Sequence, residues 1–96
     1  MNLANKKISE FCRRHYIKKM SLFGSALIDN LGPESDIDLL VEFEIGHIPG
    51  LIKLSGMEIE LEEILGRKVD LRTPQDLSRY FREEVVRRAE VQYAEE

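Results

Sequence analysis

Two aspartates one residue apart, Asp36 and Asp38, open the run Asp36-Ile37-Asp38-Leu39-Leu40-Val41-Glu42-Phe43. In an extended chain alternate side chains share a face, so both carboxylates project to the same side. Their Cα atoms then lie about 6.5–7 Å apart, a separation at which carboxylates can lean together and hold a hard, oxygen-seeking cation such as Mg²⁺. Aspartate is depleted in strands and like charges on one face repel, so the pattern is unfavourable without a cation. Taken alone, Asp-x-Asp is common and unspecific. A third carboxylate, Asp70, arises in a second short run, Lys68-Val69-Asp70-Leu71-Arg72. If the two runs pair as strands, three acidic groups converge at one edge of a sheet.

Upstream stands Leu22-Phe23-Gly24-Ser25, with ten residues between Ser25 and Asp36. A Gly-Ser pair where a strand hands over to a helix lets an anion approach the backbone. There it meets unpaired N–H groups, the positive end of the helix dipole and the Ser25 hydroxyl. The plain alternative is an ordinary serine at a helix start. An anion-binding turn beside a cation-binding pair makes up the two halves of a metal–nucleotide site.

The elements that must position these residues follow from periodicity. Ile8, Phe11, Cys12 and His15 recur at helical spacing and predict a helix over residues 4–15. Tyr16–Phe23 leads into Gly24 and reads as a strand, followed by a helical turn over Ser25–Leu31 closed by Gly32-Pro33. Asp36–Phe43 is the clearest strand, and Ile45–Gly50 is a loop. Leu51, Leu54, Glu58, Leu61 and Leu65 mark one face of a helix that ends at Gly66. Residues 68–72 form a third strand. Thr73-Pro74-Gln75-Asp76 starts a last helix that runs to about Ala89 with a break near Ser78, and Glu90–Tyr93 is either its final turn or an edge strand. The expected architecture is a small mixed β-sheet with helices packed on it, an α/β (α+β) fold.

Composition bounds the rest. The chain has 96 residues, 43% hydrophobic and 33% charged, enough for one domain over residues 1–96 with a modest core. No apolar stretch approaches a bilayer span, the N-terminus lacks a secretory apolar segment, and the single cysteine, Cys12, suits a reducing cytoplasm. A net charge of −4 argues against general duplex DNA binding. The first twenty residues carry +5, whereas residues 29–45 carry six acidic groups and no basic one. Such concentrated negative potential calls for cations or a partner. His15 and His47 lack ligand spacing and read as surface or loop residues. Cys12 reads as a small core residue. Glu58, Glu60, Glu62 and Glu63, and the arginines of the last helix, read as solvated faces.

Gly24-Ser25, ten residues, then Asp36-Ile37-Asp38 resembles the signature of the polymerase-β-type nucleotidyltransferases. The flanking Pro33–Phe43 and Gly66-Arg67-Lys68-Val69-Asp70-Leu71 resemble the minimal nucleotidyltransferase (MNT) branch over nearly the whole chain. The resemblance implies that fold, with Gly24 and Ser25 gripping the phosphates of ATP. It implies that Asp36, Asp38 and Asp70 ligate two Mg²⁺ ions, with Asp70 also drawing the proton from the attacking hydroxyl. One departure stands out: family members usually follow the Gly-Ser pair with Arg and then Gly, where this chain has Ala26-Leu27-Ile28-Asp29.

Minimal members are commonly the antitoxin half of HEPN–MNT toxin–antitoxin pairs. The resemblance therefore implies transfer of AMP from ATP to a tyrosine of a HEPN ribonuclease. Two alternatives accompany it. One is a binding module that neutralises its partner by covering it; the other is a stand-alone transferase for a small hydroxylated acceptor.

Overall fold

The computed structural model describes residues 5–23 and 36–95. In chain order these form α1 (Lys6–Arg14), β1 (Ile17–Leu22), β2 (Ile37–Phe43), α2 (Leu51–Leu65), β3 (Val69–Arg72), a 3₁₀ turn (Pro74–Asp76), α3 (Arg82–Arg88) and β4 (Glu90–Ala94). The sheet order is β3-β2-β1-β4. β1 runs antiparallel to both β2 and β4, and β2 runs parallel to β3, so the sheet is mixed as expected. The helical turn expected over Ser25–Leu31 lies outside the described residues.

Odd-numbered residues of β2 build the core. Ile37, Leu39, Val41 and Phe43 pack with Ile17, Met20 and Leu22 of β1, Val69 and Leu71 of β3, Ile8, Phe11 and Cys12 of α1, and Met57 and Leu61 of α2. Both long helices therefore cover one face of the sheet. Burial pushes the Cys12 thiol up to about 12, so it stays protonated and unreactive at neutral pH. The even-numbered side chains of β2 are left to the opposite face.

Local chemistry explains most boundaries. Asn5 Oδ1 accepts from the Ile8 amide at 3.0 Å and caps α1. Gly66 takes a left-handed φ of 69° and closes α2 as a C-cap. The last expected helix is interrupted, as the sequence suggests near Ser78. Asp76 Oδ2 accepts from the Thr73 amide at 3.1 Å to fix a 3₁₀ turn. Arg82 then donates to the Pro74 and Leu77 carbonyls, at 2.6 and 3.1 Å. Arg82 is thus a tie between turn and helix, not part of a solvated face. Of the two readings for Glu90–Tyr93, the edge strand is the one formed, with Tyr93 in register with Met20.

The glutamates of α2 are not a plain solvated surface. β3 is an edge strand, and its outward N–H groups would lack partners unless covered. Glu62 Oε2 accepts from the Val69 amide at 3.0 Å and Glu58 Oε2 from the Leu71 amide at 2.7 Å. The two glutamates are four residues apart, so they stack on one helix face and meet alternate strand residues. Glu60, on another face, receives Arg14 and the His15 ring, the latter at 3.0 Å, tying α1 to α2. The His15 ring also lies 4.6 Å, centre to centre, from the Phe11 ring, a structural place that its reading as a surface or loop residue missed. Leu51, placed on the buried face by spacing, is 82% exposed at the start of α2.

Two outcomes follow from these ties. Replacing Glu58 or Glu62 by Ala leaves a strand amide unpaired and should cost about 1–2 kcal/mol in urea unfolding, with faster hydrogen exchange at Leu71 or Val69 respectively. The Arg14 hydrogen bond holds the Glu60 carboxyl below its ordinary 4.5. Its stabilising share is therefore complete above that value and is lost as pH falls through the lower folded-state value. Denaturation series across this acid range should show a loss that Glu60→Gln removes.

Candidate active site

The face opposite the helices begins with charge. Asp36 stands just before β2, and Asp38, Leu40 and Glu42 follow at alternate positions. Leu40, next to Asp38 on this side, is buried and stands outside the main core cluster. On β3, Asp70 and Arg72 alternate with the buried Val69 and Leu71.

Register brings the carboxylates together. β2 and β3 pair in parallel with Ile37 opposite Val69, Asp38 opposite Asp70 and Leu40 opposite Arg72. Partners in register face the same side of a sheet about 4.8 Å apart. Asp38 and Asp70, thirty-two residues apart in sequence, are thus adjacent on one face. The Phe23 amide donates to the Asp38 carbonyl at 3.1 Å, so the residue that ends this described stretch lies against the backbone of Asp38. Gly24 and Ser25 themselves lie outside the described residues.

One neighbour was not singled out from sequence. Arg72 Nε lies 3.2 Å from Asp70 Oδ1, and its Nε and Nη2 each donate to Oδ2 at 3.3 Å. The signal was present, since residues i and i+2 of a strand share a face. The side chains of Arg72 and Asp70 are 50% and 36% exposed. A pair this open to solvent contributes about 0.2–1 kcal/mol, far too little to hold against a divalent cation. Among the described residues, no group of three or more His, Cys, Asp or Glu side chains closes onto one point. The arrangement is a two-strand acidic pair, Asp38 and Asp70, with Asp36 one step before it and an arginine on its rim.

Mg²⁺ is usually held by one or two carboxylates together with substrate phosphates and waters, not by an all-protein cage. Two adjacent aspartates on rigid strands suit that mode, whereas their oxygen-only donor set does not suit a structural zinc site. No helix among the described residues is long and apolar enough to cross a membrane.

Known proteins share this fold. The family model described as a nucleotidyltransferase domain matches residues 5–92. A candidate protein adenylyltransferase of Methanocaldococcus jannaschii, MJ0435, is 34% identical over 89 residues, covering 93% of this chain and 94% of its own. Protein adenylyltransferase MntA of Thermococcus cleftensis is 40% identical over 68 residues, covering 71% of this chain and 65% of its own. A solved structure described as a minimal nucleotidyltransferase superposes with a TM-score of 0.72 at 34% identity, covering 86% of this chain and 83% of its own. A toxin–antitoxin structure with AMP-PNP shares the fold, with a TM-score of 0.75 at 23% identity over 92% of this chain and 71% of its own. With the acidic pair set on parallel strands of the matching fold, the chain belongs to the nucleotidyltransferase domain family, in its minimal branch, and is a nucleotidyltransferase.

Proposed function

We propose that this nucleotidyltransferase is a Mg²⁺-dependent protein adenylyltransferase that moves AMP from ATP onto a tyrosine of a HEPN-type toxin ribonuclease in the cytoplasm, and so acts as its antitoxin. The observation that carries the reading is the register of Asp38 with Asp70 on parallel strands. Names borne by relatives support the acceptor class, since MJ0435 and MntA are both described in terms of protein adenylyltransfer. The toxin–antitoxin complexes that share the fold support the kind of partner.

In this proposal Asp36, Asp38 and Asp70 would hold Mg²⁺. When bound, the metal supplies charge neutralisation and fixed geometry for in-line displacement at the α-phosphate. Gly24 and Ser25 orient the phosphates through backbone and hydroxyl donors. Asp70 accepts the proton of the acceptor hydroxyl as its oxygen forms the new bond to the α-phosphorus. The bond to the bridging oxygen breaks, and pyrophosphate leaves.

The absence of any basic residue in Ala26-Leu27-Ile28-Asp29 favours one second reading, neutralisation by binding without transfer. A single experiment separates the two. Protein, HEPN partner, Mg²⁺ and ATP labelled at the α-phosphate are mixed, and label and ribonuclease activity are both followed. Label should enter a partner tyrosine as its ribonuclease activity falls. Asp36→Asn and Asp38→Asn should each reduce transfer by about 10²–10³-fold or more. Inhibition of the partner without label, unchanged in both variants, sinks the enzymatic reading and supports the binding one.

A further inference from the structure

We propose that Arg72 is a phosphate-binding residue that changes partners: it holds Asp70 while the site is free of metal and turns to the triphosphate when a divalent cation takes the carboxylate. The proposal rests on the nucleotidyl-transfer reading above and assigns that site its missing cation.

The need for a cation is written in the charge distribution. Between Lys19 and Lys53 the chain has no Lys or Arg, and this stretch includes Gly24-Ser25 and Asp36-Ile37-Asp38. A nucleoside triphosphate brings several further negative charges to three aspartates, more than one divalent cation offsets. Backbone and hydroxyl donors bind phosphate without supplying a full charge. Lys19 does not serve, because it is in register with Glu42, four residues along β2 from Asp38 and so about 13 Å away.

Arg72 is in the right place. It lies on the same face of β3 as Asp70, its guanidinium within 3.3 Å of both Asp70 oxygens, and its backbone is in register with Leu40 beside Asp38. Two ligands on neighbouring positions of one Mg²⁺ lie about 3 Å apart, since each sits 2.0–2.1 Å from the ion. Were Asp70 and the triphosphate to share one Mg²⁺, a phosphate oxygen would come within a short rotation of the guanidinium that rests on that carboxylate. Half exposed, the Arg72 side chain has the freedom to turn, and its planar fork suits phosphate oxygens as well as carboxylate oxygens. Metal and arginine compete for Asp70, so the same side chain opposes metal binding in the empty site and favours nucleotide in the loaded one.

The test measures binding, by calorimetry on the full chain, with Mn²⁺ alone and with AMP-PNP at saturating Mg²⁺. Arg72→Gln should bind Mn²⁺ more tightly, by up to about fivefold, because a competitor is gone. It should bind AMP-PNP about tenfold more weakly. Arg72→Lys should recover part of the AMP-PNP affinity through a single contact. Opposite signs in the two titrations distinguish this role from a structural one, which would weaken both. If wild-type protein binds both probes and Arg72→Gln changes neither, or weakens both, the role of Arg72 is overturned and the site stands. If wild-type protein binds neither probe, the site is overturned and this role with it.

Discussion

The parallel pairing of β2 with β3 is the constraint on which the rest of the molecule depends. Parallel strands cannot be joined by a tight turn, so the chain must cross over, and α2 makes that crossing. The crossover covers the core side of the sheet with Met57 and Leu61. It also brings Glu58 and Glu62 onto the outer edge of β3, where their carboxylates accept from the Val69 and Leu71 amides as a neighbouring strand's carbonyls would. A shift of one residue in this register would send Asp70 into the core and Val69 or Leu71 into the site. Burial of Val69 and Leu71 opposes such a slip from below, and the two glutamates oppose it from the side.

This places the cost of the site against the stability of the core. Two aspartates side by side on a sheet face repel one another, and nothing about folding alone recommends the arrangement. The apolar face of the same strands carries the folding energy: Ile37, Leu39 and Val41 under Asp36 and Asp38, and Val69 and Leu71 around Asp70. Arg72 relieves part of the repulsion at little energetic depth because the pair is open to water. A site relieved by a weak, exposed ion pair is ready for a stronger cation.

Much of this was legible along the chain. The strand Asp36–Phe43, the helix ending at Gly66 and the apolar face of α1 all follow from periodicity and capping residues, which act within a few positions. Glu58 is instructive, because it falls at core spacing among Leu54, Leu61 and Leu65, a place that suits a carboxylate only if something polar meets it. The meeting partner is a strand amide thirteen residues later, and no local rule identifies it. The same holds for His15, which completes an apolar pattern and then bonds to Glu60 forty-five residues away.

The sequence by itself determined the kinds of element, the alternation that puts carboxylates on one face of β2 and apolar groups on the other, and the residue types suited to metal and nucleotide. These are properties of single segments, governed by backbone periodicity and side-chain chemistry. Tertiary structure alone decided that β3 lies beside β2 and parallel to it, that Asp70 stands level with Asp38, that β4 forms as an edge, and that the glutamates of α2 seal the other edge. Each of these depends on hydrogen bonds and packing between segments far apart in the chain, whose register is selected by the burial of whole faces at once.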